Sequence, residues 1–282
     1  MNQAEKAALL RRLHHGPSIL RLCNVWDAAS ARIVEEAGFP AVATGSAGVA
    51  FSLGYPDVEV IPAAEMLAQV RRIARVVAVP VTADLEAGYE DIERTAAGLV
   101  EAGAVGLNLE DFQNGKLVDL AAQIEKIQAV RRVGERLGVP IVINARTEIY
   151  LARLGDAATR FERSVERLLA YREAGADCLF VPGVYDEETI AGLVKALQFP
   201  LNILATAGAP TVDRLQELGV ARVSLGSGPM RATMGLMRRI AEEFRDSGTY
   251  SRMLEAPVTY VEANELMQNV ARAHGLRDSR TF

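Results

Sequence analysis

The chain alternates between short apolar runs and longer amphipathic stretches. Eight runs contain few polar residues, which is typical of parallel strands buried on both faces. The stretches between them repeat apolar residues at helical spacing. The predicted strands are Ile19–Asp27, Ala41–Gly45, Val81–Leu85, Val105–Asp111, Ile141–Thr147, Cys178–Gly183, Leu201–Thr206 and Arg222–Gly226, and the clearest predicted helices are Ala63–Val77, Leu120–Leu137 and Ala157–Glu173.

Two kinds of helix-ending signal precede these strands. In one, a glycine follows the helix, because glycine readily adopts the left-handed conformation that ends a helix. In the other, a proline stops the helix and fixes an extended entry to the strand. The glycine signal occurs at Gly38, Gly103, Gly175 and Gly219, and the proline signal occurs at Pro80, Pro140 and Pro200. The signals therefore divide the chain into repeated strand–helix units.

Eight such units predict an α/β fold, the closed (β/α)8 TIM barrel. An open doubly wound sheet is the alternative, but no G-x-G-x-x-G motif follows any strand. Without a linker or a break in composition, we expect one domain over residues 1–282. The barrel would cover about 19–246, and a C-terminal helical extension would cover about 250–282. That extension contains a predicted amphipathic helix from about Val258 to Arg272.

Composition narrows the possible partners. The 282 residues carry a net charge of −5, whereas nucleic-acid binding needs a basic surface, so no nucleic-acid partner is expected. No apolar run approaches the roughly 18 residues of a membrane span, and no signal peptide opens the chain, so no membrane partner is expected. With only two cysteines, a disulfide framework is excluded and a cytoplasmic location is expected.

Acidic residues cluster at the ends of neighbouring predicted strands. Asp57 follows strand 2, Asp84 and Glu86 end strand 3, and Glu110 ends strand 4. The carboxyl ends of barrel strands carry active sites. Several carboxylates in one mouth repel each other unless a cation lies among them, and oxygen ligands without His or Cys favour Mg²⁺, with Mn²⁺ also suitable. Because Asp84 and Glu86 are two residues apart, they should project to the same side of the strand.

Other polar positions suggest how a substrate could bind. Arg146 ends strand 5 and offers a planar fork for a substrate carboxylate. It could instead be a structural ion-pair partner of Glu148 or Glu110. Backbone N–H groups in the small-residue turn Gly45–Gly48 could receive a carboxylate or enolate oxygen. The three histidines lie outside the predicted strands, and His14 and His15 are expected at the surface, so a histidine base in the barrel mouth is not expected.

The order and spacing of these residues resemble the isocitrate lyase / phosphoenolpyruvate mutase superfamily. The resemblance runs from about Leu20 to Met237. It rests on five motifs: Trp26-Asp27, Thr44–Gly48 with Ser52–Asp57, Asp84–Tyr89, Asn108–Asp111 and Asn144–Thr147. The resemblance implies Mg²⁺, the enolate of a 2-oxo acid, and cleavage or formation of a C–C or P–C bond beside it. It also implies a homotetramer in which neighbouring subunits exchange their last helices.

The resemblance also assigns roles to single residues. Asp84 would bind Mg²⁺ directly, and Asp57, Glu86 and Glu110 would hold metal-bound waters. Asp57, Glu110 and Arg146 are the candidate catalytic residues. Candidate substrate-binding residues are Trp26, Gly45, Ser46, Ala47, Arg146 and, on strand 7, Asn202. The loop Phe112–Leu117, with Asn114 and Lys116, would close over a small carboxylate substrate as a gate.

The chain departs from the family pattern in two informative places. Isocitrate and methylisocitrate lyases carry a catalytic Cys in the gate, but this gate reads Gln113-Asn114-Gly115-Lys116. Phosphonate-handling members carry a His where this chain has Pro182. The leading hypothesis is a Mg²⁺-dependent lyase that cleaves a C–C bond of a small 2-oxo or 2-hydroxy acid. The alternatives are an oxaloacetate-type decarboxylase or hydrolase, a phosphomutase acting on phosphoenolpyruvate or phosphonopyruvate, and a non-catalytic 2-oxo acid binder.

Overall fold

The computed structural model describes residues 1–273 and contains a parallel sheet curved into a barrel. The strands are β1 Leu20–Leu22, β2 Asn24–Val25, β3 Val42–Thr44, β4 Val81–Asp84, β5 Gly106–Glu110, β6 Phe112–Gln113, β7 Lys116–Leu117, β8 Val142–Arg146, β9 Cys178–Phe180, β10 Leu201–Leu204 and β11 Arg222–Ser224. All except β6 and β7 belong to the barrel sheet, whose order is β1-β11-β10-β9-β8-β5-β4-β3-β2. Each predicted strand contains at least one of these, so the eight predicted strands are confirmed.

The barrel closes through its first strand. Residue Cys23 separates β1 from β2. On one side, β1 pairs with β11 through Leu20 and Arg222, and on the other side β2 pairs with β3. The two short strands therefore act as one barrel strand that joins the first and last units. The predicted eight-stranded parallel barrel is confirmed in this nearly closed form.

Helices follow every barrel strand. They are α1 Gln3–Leu13, α2 Ala28–Glu36, α3 Ser46–Ser52, α4 Ala63–Ala74, α5 Ile92–Glu101, α6 Leu120–Leu137, α7 Arg160–Glu173, α8 Glu187–Leu197, α9 Val212–Glu217, α10 Gly228–Ser247 and α11 Tyr260–Ala273, with 3-10 turns at Ala157–Thr159 and Ser251–Leu254. The four glycine signals have positive φ angles between 86° and 106°, as predicted for residues that end a helix. The predicted C-terminal helix is confirmed as α11, whereas residues 274–282 of the expected extension lie outside the described residues. In the part of the chain that the structure describes, no helix is long and apolar enough to cross a membrane.

The first helix covers the N-terminal end of the barrel. Leu10 is fully buried and lies so close to Gly106 at the start of β5 that a Cβ there would be 2.8 Å from its Cδ2. His14 is also buried, and its Nδ1 lies 2.8 Å from the carbonyl oxygen of Leu10. Burial, with a smaller effect of Arg222, lowers the pKa of His14 to about 3. The expectation that His14 lies at the surface was therefore wrong, because helix α1 turns this side toward the barrel.

A buried polar layer fills the middle of the barrel. Asn108 and Asn144 are paired in register on β5 and β8, and Asn144 Nδ2 donates to Asn108 Oδ1 at 2.8 Å. Arg222 is fully buried and donates through Nη2 to the same oxygen at 3.1 Å. Its Nε and Nη1 have no hydrogen-bond partner among the described residues. The inner side chains of these strands are thus polar up to the mouth, where the candidate site lies.

Candidate active site

Three predicted site residues occupy the last positions of adjacent barrel strands. Asp84 ends β4, Glu110 ends β5 and Arg146 ends β8. Glu110 and Arg146 are direct register partners, and Asp84 is paired with Asn108, two residues before Glu110. Even spacing on neighbouring strands places these side chains on the inner face. The structure therefore brings together the acidic and basic groups that the sequence placed at the mouth.

Arg146 forms ion pairs with several carboxylates of this mouth. Its Nη1 lies 3.2 Å from Glu110 Oε2 and 3.8 Å from Asp84 Oδ2, and its Nε donates to Glu148 Oε1. Its guanidinium carbon lies 5.5 Å from the centre of the Phe180 ring. Burial alone would lower the pKa of Arg146, but Glu110 and the other carboxylates outweigh burial and raise it. The ion pairs considered as an alternative role for Arg146 are therefore present.

Ser46 joins two of the predicted metal-site carboxylates. The Ser46 hydroxyl lies 3.2 Å from Asp57 Oδ1 and 3.4 Å from Asp84 Oδ2, and its backbone N–H also approaches Asp84 Oδ2 at 3.5 Å. The backbone N–H of Asp84 donates to Thr44 Oγ1 at 2.9 Å, which fixes the end of the strand. Partial burial and the charge of Asp84 raise the pKa of Asp57. The Ser46 hydroxyl therefore lies close to Asp57, in the loop after α3, and to Asp84, at the end of β4.

Glu86 reaches the same cluster by an unusual backbone conformation. Strand β4 ends at Asp84, and Glu86 has a φ angle of 52°. Simple strand alternation therefore does not place Glu86, although its carboxyl group is buried beside that of Asp84. Burial first, and then the charges of Asp84, Asp57 and Glu59, raise its pKa to about 8. Burial likewise raises the pKa of Glu110, although Arg146 opposes the shift.

Two buried oxygen atoms in this cluster fit a cation. Asp84 Oδ1 and Glu86 Oε1 are buried and have no hydrogen-bond partner among the described residues. Buried carboxylate oxygens without partners are costly and are usually compensated by an ion or water. Across residues 1–273, no three Asp, Glu, His or Cys side chains are close enough to form a complete set of direct ligands. This arrangement suits a hard cation that takes few direct protein ligands and keeps several waters, as Mg²⁺ does.

The predicted substrate-binding turn lies beside the cluster. Gly45 lies next to the backbone of Gly226, because a Cβ at Gly45 would be 3.5 Å from the Gly226 carbonyl oxygen. Ala47 is buried. Trp26 lies next to Gly48 of the same turn, since a Cβ at Gly48 would be only 3.3 Å from Trp26 Cβ. Ser46, whose hydroxyl contacts Asp57 and Asp84, is the residue of this turn that its contacts place in the mouth.

Asn202 does not join this group. It is fully buried, it pairs in register with Arg222, and its Nδ2 lies 3.4 Å from Ser224 Oγ. Leu204, two residues further along β10, is the inward-facing residue nearest the strand end. Asn202 therefore contributes to the polar layer inside the barrel, below the mouth.

The predicted gate is a short hairpin. Strands β6 and β7 pair antiparallel, and Asn114 and Gly115 join them with φ angles of 54° and 78°. Two left-handed residues in an Asn-Gly pair are typical of a tight type I′ turn. Gln113 Nε2 donates to Glu59 Oε2 at 2.8 Å, and Lys116 is exposed. The Asn114-Gly115 pair is the signal in the sequence that indicates this hairpin.

The sequence assigns no role to Glu59 or Tyr89, and it indicates Glu148 only as a possible ion-pair partner of Arg146. Glu59 accepts the Tyr89 N–H at 2.8 Å as well as the Gln113 amide, so it joins two loops to the hairpin. Glu148 is buried beside Arg146, and its N–H donates to Asp111 Oδ1 at 2.9 Å. The sequence places Tyr89 in the Asp84–Tyr89 motif but indicates no role for its side chain. Glu59 follows no recognisable motif, so its role could not be found before the loops were placed.

Comparisons with known proteins agree with this geometry. A family model described as phosphoenolpyruvate phosphomutase matches residues 10–245. An oxaloacetate decarboxylase from Rhodopseudomonas palustris is 31% identical over 283 residues, covering 95% of this chain and 93% of the relative. A 2-methylisocitrate lyase from Aeropyrum pernix is 30% identical over 275 residues, covering 92% and 86%. The structure of an oxaloacetate acetylhydrolase with 3,3-difluorooxalacetate superposes with a TM-score of 0.84 at 26% identity, covering 99% and 100%.

Several of these relatives are named for reactions at carbon–carbon bonds, and the chain is a lyase of that class. It belongs to the family whose model is described as phosphoenolpyruvate phosphomutase, within the isocitrate lyase / PEP mutase superfamily. The resemblance found in the sequence is thereby confirmed.

Proposed function

We propose that the protein is a Mg²⁺-dependent lyase that cleaves a C–C bond of a small 2-oxo or 2-hydroxy carboxylic acid through an enolate. The observation that carries the proposal is the pair of unpartnered buried oxygens, Asp84 Oδ1 and Glu86 Oε1. The other oxygen of Asp84, Oδ2, lies 3.8 Å from Arg146 Nη1. One half of such a site suits a divalent cation and the other half suits a carboxylate.

Each residue then has a defined task. Asp84 would bind the cation directly, while Asp57, Glu86 and Glu110 would hold it through water. Mn²⁺ would fit the same oxygen ligands. When bound, the cation would stabilise the negative charge of the enolate as a Lewis acid.

The chain itself orients the substrate acid. The guanidinium of Arg146 would hold the substrate carboxylate, exchanging part of its pairing with Glu110 and Glu148 for the new partner. In the Gly45–Ala47 turn, the Ala47 N–H lies in the first turn of α3, where the helix supplies no partner, and it would receive a substrate oxygen. The Gly45 N–H already donates to the Val25 carbonyl oxygen at 3.3 Å, and the Ser46 N–H approaches Asp84 Oδ2 at 3.5 Å. Trp26 would form one wall of the pocket. These contacts would fix the bond to be broken relative to the charged half of the site.

Decarboxylation of an oxaloacetate-like acid is the second candidate, and the other side of the mouth favours it. The last residues of β9 and β10 are Phe180 and Leu204. Neither side chain can transfer a proton, whereas an aldol-type cleavage needs a base to take the proton from the substrate hydroxyl group, whose oxygen becomes the carbonyl oxygen of one product. Loss of CO2 needs no such base, and an apolar wall disfavours the charged carboxylate relative to neutral CO2. The relatives named oxaloacetate decarboxylase support the same reading.

Calorimetric titration with Mg²⁺ and then with oxalate tests the proposal, because oxalate resembles the enolate of pyruvate. We expect wild type to bind oxalate only with Mg²⁺, and Asp84→Ala to lose both binding events. Asp213→Ala is the matched control, since Asp213 is an exposed aspartate paired with Arg21. Oxalate binding without metal, or no binding to wild type, would refute the proposal. CO2 release from oxaloacetate would then separate decarboxylation from aldol-type cleavage of a 2-hydroxy acid.

We also infer a homo-oligomer, which the resemblance describes as a tetramer with exchanged C-terminal helices. Helix α10 has no buried residue, and large apolar side chains such as Met237, Phe244 and Val261 are more than half exposed. Exposed apolar side chains on adjoining segments are typical of an interface between subunits. Sedimentation equilibrium measures the state directly, and a monomer at micromolar concentration would contradict this inference.

A further inference from the structure

The phenol group of Tyr89 is a buried donor without an acceptor. Its hydroxyl oxygen is shielded from solvent and has no hydrogen-bond partner among the described residues. A buried hydroxyl group without a partner is unfavourable, so such a group in a native protein usually has an acceptor supplied from outside the chain. The position of Tyr89 therefore points to a bound species.

The surroundings of this hydroxyl group are acidic. Burial and then the charges of Glu86, Asp84, Glu59 and Asp57 all raise the pKa of Tyr89. The phenol therefore stays protonated and can donate a hydrogen bond. Asp84 and Glu86, which also have unpartnered buried oxygens, belong to the proposed cation site. Tyr89 thus lies beside the half of the mouth where an anionic oxygen would meet the cation.

The backbone holds Tyr89 in a conformation that side chains other than glycine rarely adopt. Tyr89 has a φ angle of 61° and follows Gly88, whose φ angle is 95°. Left-handed conformations of this kind are strained and persist only when neighbouring contacts enforce them. The contact here is Glu59, whose Oε1 accepts the Tyr89 N–H at 2.8 Å.

Glu59 is itself held in place. Its φ angle is 52°, and its Oε2 accepts the Gln113 amide at 2.8 Å. One carboxylate therefore ties the loop after α3 to the loop after β4 and to the gate hairpin. This arrangement makes the orientation of Tyr89 depend on Glu59.

We propose that the Tyr89 hydroxyl group donates a hydrogen bond to an anionic oxygen of the bound acid, and that Glu59 is the positioning residue for it. The inference rests on the proposed function, because it requires a 2-oxo acid or its enolate in the mouth. Tyr89, on the loop after β4, and Arg146, at the end of β8, would then contact the acid from two separate elements. Water held around the cation is the other possible acceptor, and the experiment distinguishes the two.

The test is calorimetry of Mg²⁺ alone, and of oxalate at saturating Mg²⁺, on wild type, Tyr89→Phe and the exposed control Tyr260→Phe. A hydrogen bond to a charged group predicts that Tyr89→Phe weakens oxalate binding roughly ten- to a hundredfold and leaves Mg²⁺ affinity unchanged. The control should match wild type. Weakened Mg²⁺ binding with normal oxalate binding would assign the phenol to metal-held water and overturn the proposal, as would no change in either affinity. If wild type binds no oxalate, the proposed function fails as well.

The role of Glu59 needs a separate comparison. Glu59→Ala should weaken oxalate binding about as much as Tyr89→Phe does, and Glu59→Gln should restore most of it, because an amide oxygen can still accept the Tyr89 N–H. The double variant Glu59→Ala/Tyr89→Phe should be no weaker than Tyr89→Phe alone, since both changes remove the same contact. Additive losses, or no rescue by Gln, would show that Glu59 does not act through Tyr89.

Discussion

Replacing Glu86 by Gln should make the metal-free protein more stable and its Mg²⁺ binding weaker. The carboxyl group of Glu86 is buried beside Asp84 and Asp57, and its pKa is raised to about 8. Glutamine has nearly the same shape without the charge. The substitution therefore removes a repulsion that protonation or a bound cation would otherwise offset, and it removes one of the groups that would hold the cation.

The pKa sets the size and the pH range of the effect. The folded protein keeps a proton on Glu86 up to about pH 8, whereas the unfolded chain releases it near the ordinary value of 4.5. Stability of wild type should therefore fall as pH rises between these values and level off above pH 8. The full rise in pKa corresponds to roughly 5 kcal/mol at about 1.4 kcal/mol per tenfold change. Because the loop can relax and admit water, we expect about 2–3 kcal/mol at high pH.

Thermal unfolding in a metal chelator measures this difference at about pH 6 and about pH 9. A gain of this size should raise the Tm of Glu86→Gln above wild type by roughly 3–5 °C at the higher pH, and by less at the lower pH. Added Mg²⁺ should stabilise wild type more than the variant. Equal melting temperatures at high pH, or a lower value for the variant, would refute the argument that this carboxylate is destabilising without a cation.

Other substitutions test other parts of the site. Arg146→Lys should raise KM roughly ten- to a hundredfold in steady-state kinetics, because lysine lacks the planar fork, and an unchanged KM would remove Arg146 from substrate binding. Arg167→Met should cost about 3–5 kcal/mol in urea unfolding, since it leaves the fully buried Asp111 without its cation. Arg222→Met should cost less than about 1 kcal/mol, because this arginine has no carboxylate partner among the described residues and an apolar side chain of similar length can replace it, so equal losses for the two would contradict this contrast. Gly115→Ala should destabilise the hairpin by roughly 1 kcal/mol, seen as faster amide exchange at Gln113, because alanine is strained at positive φ.

The sequence predicts the barrel well because the information is local and repeated. At Gly38 and Gly103 a glycine with positive φ follows a helix, and the next apolar run forms a strand that pairs in parallel with the strand before it. The same logic places Asp84, Glu110 and Arg146 correctly, since each is the last residue of a strand. Positions fixed by strand alternation can be read before the structure is seen.

The sequence predicts a residue's position poorly where that position depends on the conformation of a loop or on the depth of the residue in the barrel. Asn202 has the right residue type on the right strand, but it lies two residues too deep to reach the mouth. Glu86 reaches the site through a left-handed backbone that strand alternation does not describe. Glu59 acts through contacts with two distant loops, and no spacing in the sequence announces such contacts. His14 is buried because helix α1 covers the barrel, which depends on tertiary packing.

The divided first strand has a consequence for how the molecule folds. Residues Leu20–Leu22 find their partners in Arg222–Ser224, which lie about two hundred positions later in the chain. During synthesis from the N-terminus, the first strand must therefore wait, half unpaired, until almost the whole barrel has been made. The barrel strands β3, β4, β5 and β8 carry Asp84, Glu110 and Arg146. They are by contrast neighbours in the order of the chain and can pair as they emerge. The half of the barrel that carries the charged site can thus assemble early, while closure of the ring is a late, long-range step that limits the folding rate.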